Sequence, residues 1–183
     1  MNPFTISRAC PRDAAAVISL RKEAEKWLSN QGVTQWTNTS RGIEDIQEHI
    51  ASGCTYVVRS TGPEIAASIT LDKADPDFWT EQEMLDPAIY LYKFMIGEGF
   101  RGTGLGDAML DWACQTGERQ GAEELRLDCW RTNDALHRYY LARGFRHLAT
   151  RSAEGRMSGA LFSRPTSLRL ARPSQVQIVE RHA

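Results

Sequence analysis

Apolar and polar residues follow two different periods along this chain, and the change of period marks its predicted elements. Short apolar or alternating runs rich in β-branched and aromatic side chains predict strands at 4–9, 55–59, 64–71, 88–96, 125–130, from Phe145 and at 159–162. Apolar residues at helical spacing predict helices over 11–30, 41–51, 105–120 and from Thr132. The resulting order, β-α-α-β-β-β-α-β-α-β, predicts a mixed α/β (α+β) domain.

The pattern weakens near the end of the chain. A chain of 183 residues is long enough to bury the core of one domain. Beyond Pro165 the sequence carries several arginines and Pro173 with little apolar periodicity. We therefore expect one domain over residues 1–165 and a C-terminal tail over 166–183 that need not adopt a fixed structure.

The richest local signal is the turn Arg101-Gly102-Thr103-Gly104-Leu105-Gly106, which joins the apolar run at 88–96 to the helix predicted from Leu105. Glycine lets the backbone approach a ligand closely, and the first N–H groups of a helix have no partner within it. Such a turn favours an anion, most naturally a phosphate. A Walker loop is excluded because Asp107 and Ala108 follow Gly106, and the glycine spacing fits a dinucleotide loop poorly.

A second motif follows the predicted strand at 125–130. Asn133 begins a helical segment, Tyr140 lies seven residues on, and Gly144-Phe145 follow shortly after. This motif together with Arg101-x-x-Gly104-x-Gly106 resembles the two signatures of the GNAT superfamily of N-acetyltransferases. The resemblance is tight from Ala88 to about His147 and looser before it.

The resemblance implies a GNAT fold, with a mixed, mostly antiparallel central sheet flanked by helices and two splayed central strands, here 90–96 and 125–129. It implies acetyl-CoA as acyl donor, with its pyrophosphate on the turn and its pantetheine beside Asn133. In relatives a backbone N–H at the position of Met95 or Ile96 meets the oxyanion. The implied coenzyme-binding residues are therefore Met95, Ile96, Arg101, Gly102, Thr103, Gly104, Leu105, Gly106 and Asn133.

The resemblance places a tyrosine hydroxyl beside the thioester sulfur, and Tyr140 occupies that position. A phenol is protonated at pH 7 and can donate to a departing thiolate. Its neighbour Tyr139 lies three residues after Leu136 and is expected to pack in the core. Two other residues have alternative interpretations. Asn133 fits a helix N-cap as well as a coenzyme contact. Arg101 either adds charge to the phosphate site or is a solvated surface residue.

No general base stands out. Some relatives carry a carboxylate on the strand before the turn, where this chain has Tyr90, Tyr92 and Lys93. Asp128, Glu98 and His137 are alternatives, although each also fits a surface or packing position. An ordered water, or an acceptor amine of low pKa, is the favoured solution.

Large aromatic residues in the less patterned segments are candidates for the acceptor site. Trp36 and Trp79 lie in predicted loops and Tyr90 on the strand before the turn, and aromatic faces attract cationic amines. We expect acetyl transfer to a primary amine of a small molecule. Two alternatives are a protein or peptide amine, favoured by acidic residues such as Glu81, Glu83 and Asp86, and a non-catalytic acyl-CoA sensor.

Composition narrows the remaining partners. The net charge of −1 and a pI near 6.4 imply no nucleic acid or anionic membrane as a partner. Four scattered cysteines without paired histidines predict free thiols and no metal site, and Cys129 shares a strand face with Leu125 and Leu127. No signal segment is visible, so a cytoplasmic location is expected. The resemblance also makes a homodimer an expectation.

Overall fold

The computed structural model describes residues 4–36, 39–170 and 176–181. Within them the chain forms two compact units. The first is drawn from residues 1–70, 93–109 and 174–183, and the second from residues 71–92 and 110–173.

Eight strands and four α-helices lie in the described residues. The strands are β1 (Phe4–Arg8), β2 (Thr55–Arg59), β3 (Ile65–Asp72), β4 (Ala88–Ile96), β5 (Glu124–Trp130), β6 (Arg146–Thr150), β7 (Ser158–Pro165) and β8 (Ile178–Glu180). The helices are α1 (Ala14–Asn30), α2 (Thr39–Ala51), α3 (Leu105–Arg119) and α4 (Asp134–Leu141). Every predicted helix and strand is present, with ends that differ by a few residues.

In the first unit, β2 lies antiparallel between β1 and β3, and β8 pairs in parallel with β1. The second half of β4 belongs to this unit, and just beyond it the Gly97 N–H donates to the Ala66 carbonyl at 2.9 Å. Helices α1 and α2 each turn one apolar stripe toward a shared core, as their spacing predicts. That core contains Val17, Leu20, Ile46, Ile50, Val57 and Met95.

In the second unit, the first half of β4 pairs in parallel with β5, and β7 lies antiparallel to both β5 and β6. The β4–β5 register runs from Ala88 opposite Glu124 to Leu91 opposite Leu127 and ends there. Strand β5 continues to Trp130 and keeps its antiparallel partners on β7. We call the end of the β4–β5 pairing, at Leu91 and Leu127, the fork.

These pairings confirm the expected mixed, mostly antiparallel sheet with helices on it and central strands that part. The segment after Pro165 is predicted as a tail that need not adopt a fixed structure. In the structure, Ile178–Glu180 of this segment form β8, and Thr166 is buried. The physical reason is that the edge of β1 away from β2 presents backbone N–H and C=O groups, with which a short strand can pair.

Candidate active site

The glycine-rich turn lies in the first unit and has the backbone conformation that its sequence demands. Gly102 and Gly104 have φ angles of 74° and 89°, the left-handed region that side chains with a Cβ rarely adopt. The Thr103 hydroxyl donates to the Phe100 carbonyl at 2.7 Å and fixes the turn from within. Helix α3 begins directly afterwards at the buried Leu105. Apart from the chain neighbours of Gly102, no heavy atom of the described residues lies within 4 Å of the position that a Cβ on this residue would take. This side of the turn therefore has room for an anion.

Arg101 is held by protein groups of the first unit. Its Nε donates to the Ile96 carbonyl at 3.1 Å, and its Nη2 lies 3.4 Å from Glu23 Oε1. The guanidinium also stacks 4.6 Å from the centre of the Trp27 ring, while Nη1 is buried without a hydrogen-bond partner among the described residues. Arg101 therefore ties the turn to α1, and the glycine backbone is left as the main ligand surface.

The end of β4 combines a packed side chain with a strained backbone. Met95 is buried in the core of the first unit, so its backbone is the part that can meet a ligand. Two residues earlier, Lys93 has a φ of 45°, an uncommon conformation for a residue with a Cβ. Its Nζ lies 3.9 Å from Asp45 Oδ2 and 3.4 Å from His49 Nδ1, both on α2.

The second unit positions Asn133 and Tyr140 through α4. The Asn133 side-chain oxygen accepts a hydrogen bond from the Leu136 N–H at 3.0 Å. Asn133 is therefore the N-cap of α4 in this structure. Tyr140 is buried, with ring centres 5.3 Å from Phe145 and 6.0 Å from Phe162. Burial raises the pKa of Tyr140 well above its ordinary value, and the neighbouring Cys129, Tyr139 and Asp128 act in the same direction. The hydroxyl is thus a proton donor across the whole neutral range.

The prediction for Tyr139 is wrong. Tyr139 is half-buried beneath the Arg143 guanidinium, which lies 3.6 Å from its ring centre, and Tyr140 is the residue in the core. On the short helix α4, the buried position lies one residue later than the spacing from Leu136 predicts. Tyr140, and not Tyr139, therefore faces the core.

A carboxyl group that the sequence did not single out lies in the second unit, on the loop after β3. Asp75 is buried, and the Tyr92 hydroxyl is hydrogen-bonded to it. Burial, and after it the charge of Asp128, raise the pKa of Asp75, whereas Tyr92 and Arg156 lower it, and the net value is about 7. A carboxyl of this kind is a candidate functional group, because ordinary surface carboxyls are fully ionised at pH 7.

Tyr92 connects Asp75 to the fork. It is the first residue of β4 after Leu91, and its hydroxyl donates to the Ala74 carbonyl at 2.7 Å. Asp128 is the first residue of β5 after Leu127 and raises the pKa of both Asp75 and Tyr140. The one sequence signal for Asp75 was weak: it lies in a polar loop just before two large aromatic residues, whose burial would draw their neighbours inward.

Trp79 and Tyr90, two of the predicted acceptor contacts, lie in the core of the second unit. Their rings meet edge to face at 5.6 Å, and both are buried. The Arg126 guanidinium stacks 4.8 Å from the Trp79 ring centre and donates to the Tyr90 hydroxyl at 3.2 Å. Trp79 Nε1 is buried without a hydrogen-bond partner among the residues described, so one donor of this cluster is available to a ligand or a water.

Trp36, the third predicted contact, lies in the first unit. It has a φ of 64°, and the Arg21 guanidinium is 5.4 Å from its ring centre. Trp36 lines a surface groove of about 350 Å³ together with Gln35, Val33 and Lys22. The structure therefore brings Trp79 and Tyr90 together and describes Trp36 in the other unit.

Cysteine and metal chemistry find no support among the described residues. Burial raises the pKa of the Cys129 thiol to about 12 and that of Cys114 to about 11, which makes both poor nucleophiles at neutral pH. All four cysteines are free thiols. Across residues 4–36, 39–170 and 176–181, no three histidine, cysteine or carboxylate side chains are placed to hold a metal ion, and no helix is long and apolar enough to cross a membrane.

Comparison with known proteins connects these features to one family. Residues 20–145 match the model of the acetyltransferase (GNAT) family. The uncharacterized N-acetyltransferase YesJ of Bacillus subtilis (strain 168) is 33% identical over an alignment of 147 residues that covers 75% of this chain and 80% of that protein.

Solved structures share the fold at lower sequence identity. A GNAT-family acetyltransferase from Listeria monocytogenes 4b F2365 superposes with a TM-score of 0.70 at 22% identity, covering 88% of this chain and 94% of that one. The PaiA N-acetyltransferase of Thermoplasma acidophilum, solved in complex with coenzyme A, gives a TM-score of 0.68 at 15% identity and covers 88% and 98%. On the strength of the family match and the curated relative, the chain belongs to the GNAT family and is an N-acetyltransferase.

Proposed function

We propose that this enzyme transfers an acetyl group from acetyl-CoA to a primary amine of a small molecule, by direct attack of the amine on the thioester. The observation that carries the proposal is the turn at 101–106, in which two left-handed glycines lead directly into α3. The relative from Thermoplasma acidophilum was solved with coenzyme A, which supports the same class of donor here.

The turn residues fit a pyrophosphate. Backbone N–H groups at the start of α3 and in the turn supply donors, and the helix dipole adds positive potential. Arg101 is already paired with Glu23, so its role is to hold the turn in shape rather than to supply free charge. A backbone N–H at Met95 or Ile96 is proposed to receive the oxyanion, and Asn133 to support the pantetheine in addition to capping α4.

Tyr140 is proposed as the general acid. The phenol is protonated at pH 7 even at its ordinary pKa, and its hydroxyl is proposed to give its proton to the thiolate as the C–S bond breaks. Burial raises the pKa of Tyr140, so the phenol is regenerated readily when it takes a proton from the nitrogen. Buried Trp79 and Tyr90 are proposed to form part of the acceptor wall, with the Trp79 Nε1 donor available for a polar group. Trp36 is proposed to serve the acceptor from the first unit.

Two of the three acidic residues that favoured a basic peptide acceptor, Glu83 and Asp86, have other partners, while Glu81 is exposed. Glu83 forms a two-point ion pair with Arg151, with both N–O distances at 2.6 Å. Asp86 accepts from Arg126 at 2.7 Å. Since these carboxylates are neutralised within the second unit, they offer little attraction to a basic peptide, and a small amine is the better proposal.

Two measurements test the proposal in sequence. Calorimetry with acetyl-CoA should show binding, and a thiol-release assay over a panel of small amines should then identify an acceptor. A panel that includes a lysine-rich peptide separates the two acceptor classes. Absence of heat with millimolar acetyl-CoA would reject the donor, and turnover of the peptide but of no small amine would reject the acceptor class.

A further inference from the structure

Asp75, Tyr92 and Asp128 meet at the fork of the second unit, on three segments far apart in the sequence. We propose that Asp75 is the terminal proton acceptor of the transfer reaction and receives the ammonium proton of the acceptor through the Tyr92 hydroxyl. This inference rests on the proposed function and names the base that the sequence did not supply.

The location of the group supports a part in the reaction. Tyr92 and Asp128 are the first residues beyond the last paired residues of β4 and β5, where the two strands part. Asp128 is close enough to Tyr140, the proposed acid, to raise its pKa. The candidate acid and the candidate proton acceptor are thus linked through one carboxylate within the same compact unit.

The hydrogen bonds around Tyr92 give the relay a direction. A phenol carries one hydrogen, and in this structure the Tyr92 hydroxyl donates it to the Ala74 carbonyl at 2.7 Å. Its oxygen can then only accept from Asp75, which requires a protonated Asp75 carboxyl. When Asp75 is ionised, the hydroxyl donates instead to the carboxylate, and a lone pair of its oxygen can accept from the ammonium group of the acceptor.

The proton and electron count closes without any further reactant. In the starting state Asp75 is a carboxylate and the acceptor is R–NH₃⁺. One ammonium proton passes to the Tyr92 oxygen as the hydroxyl proton passes to Asp75, which leaves R–NH₂, an intact phenol and a carboxylic acid. The amine lone pair forms the C–N bond and the C–S bond breaks. Tyr140 protonates the thiolate and regains a proton from the nitrogen, and Asp75 later releases its proton to water.

The titration of Asp75 depends on groups from every element that faces it. Asp128 on β5 raises its pKa, while Tyr92 on β4 and Arg156, from the turn before β7, lower it. Arg156 is itself paired with Asp77 of the same loop. A carboxyl group whose pKa is about 7 can both gain and lose a proton in each turnover at neutral pH.

The test compares Asp75→Asn and Tyr92→Phe with the wild type and with Glu81→Gln, an exposed carboxylate of the same loop. With an acceptor amine whose pKa is about 10, the wild type should show an acidic limb of kcat/KM near pH 7. In Asp75→Asn and Tyr92→Phe this limb should move up to the pKa of the amine, and kcat/KM at pH 7 should fall about 10²-fold. Glu81→Gln should keep the wild-type profile.

Outcomes separate the inference from the function on which it rests. If acetyl-CoA binds and amines turn over, but Asp75→Asn keeps its acidic limb near pH 7, Asp75 is not the acceptor. A Tyr92→Phe profile identical to that of the wild type removes the relay. If wild-type protein neither binds acetyl-CoA nor acetylates an amine, the proposed function fails and this inference fails with it.

A spectroscopic readout covers the case in which Asp75→Asn does not fold. Carbon-13 NMR of protein labelled at the aspartate carboxyls should show one resonance titrating between about 6 and 8, and that resonance should shift in Tyr92→Phe. A set of aspartates that all titrate below pH 5 would overturn the proposal whatever the kinetics show.

Discussion

The turn at 101–106 and the fork of the second unit are both assigned to one reaction, yet they are built in opposite ways. The turn consists of consecutive residues whose backbone conformation is the working part, with Gly102 and Gly104 at positive φ. The groups proposed to move protons near the fork are side chains from separate segments, of which Asp75 and Tyr140 are buried. The proposed donor site is thus made by local backbone geometry, and the proposed proton-transfer groups are made by burial and charge.

This difference predicts that the two regions fail differently when altered. A change in the turn should weaken donor binding and leave the protonation chemistry intact. A change in the fork should leave donor binding intact and alter rate or pH dependence.

The largest expected effect is at Tyr140. Tyr140→Phe removes a single oxygen and keeps the ring that packs on Phe145 and Phe162. Because the phenol is proposed to supply the proton that the thiolate needs, kcat should fall by about 10²–10⁴-fold. Acetyl-CoA affinity, measured by calorimetry, should change less than about threefold, since it depends on the backbone of the turn. A tenfold loss of affinity in this variant would contradict the division.

Asp75 should produce the next largest effect, on stability. Its pKa is raised from 3.8 to about 7 in the folded protein, so the folded state binds this proton more tightly than the unfolded state. The folded protein therefore loses stability as the pH rises from about 4 to about 7. At about 1.4 kcal/mol per pH unit, the cost above pH 7 has an upper bound of about 4 kcal/mol.

Asp75→Asn removes this cost because its amide stays neutral. Urea unfolding should show the variant to be more stable than the wild type at pH 8, by up to about 4 kcal/mol, with the gain shrinking toward pH 4. An equal difference at both pH values would show that the substitution acts through packing instead.

Sequence analysis and structure agree where the information is local. The turn could be predicted because Gly104 and its neighbours are contiguous and their conformation follows from the lack of a Cβ. Strand and helix positions followed from apolar periodicity for the same reason. The C-terminal strand β8 was missed because its pairing with β1 depends on a free edge far away in the sequence.

The parting of β4 and β5 was predicted through the family resemblance, but the cluster of Asp75, Tyr92 and Asp128 beside it could not be predicted, for a physical reason. The raised pKa of Asp75 arises from burial and from Asp128, more than fifty residues later in the chain. Neither the burial of Asp75 nor its distance from Asp128 can be inferred from the residues that neighbour it in the sequence. Tyr140 was identified through the family pattern, while the inward direction of Tyr140 rather than Tyr139 was resolved by the packing of α4.

The turn itself is tested by a smaller change. Gly104→Ala forces a Cβ into a backbone with a φ of 89° and should cost about 1–2 kcal/mol, which lowers acetyl-CoA affinity about tenfold. Gly121→Ala is the matched control, since Gly121 has a φ of 83° and open space around it. Both variants carry the backbone strain, so a loss of affinity in Gly104→Ala alone, with kcat retained at saturating donor, supports the backbone role. Equal affinities in the two variants would contradict it.

The smallest effect concerns the loop that carries Asp75. The Arg151 guanidinium and then the Thr80 backbone N–H lower the pKa of Glu83 to about 2, so this pair stabilises the fold above pH 4.5 and ceases to do so as the pH falls through about 2. Because Glu83 is about one-third exposed, solvent screening limits its contribution to about 1 kcal/mol. Glu83→Gln should therefore lower the free energy of unfolding by about 1 kcal/mol at pH 7 and by almost nothing near pH 2. Glu81→Gln, an exposed carboxylate two residues earlier, should have no effect at either pH. If the loop holds Asp75 in place, Glu83→Gln should also lower the pKa of Asp75 slightly by admitting water, whereas an unchanged Asp75 titration would show that burial at the fork is maintained without this ion pair.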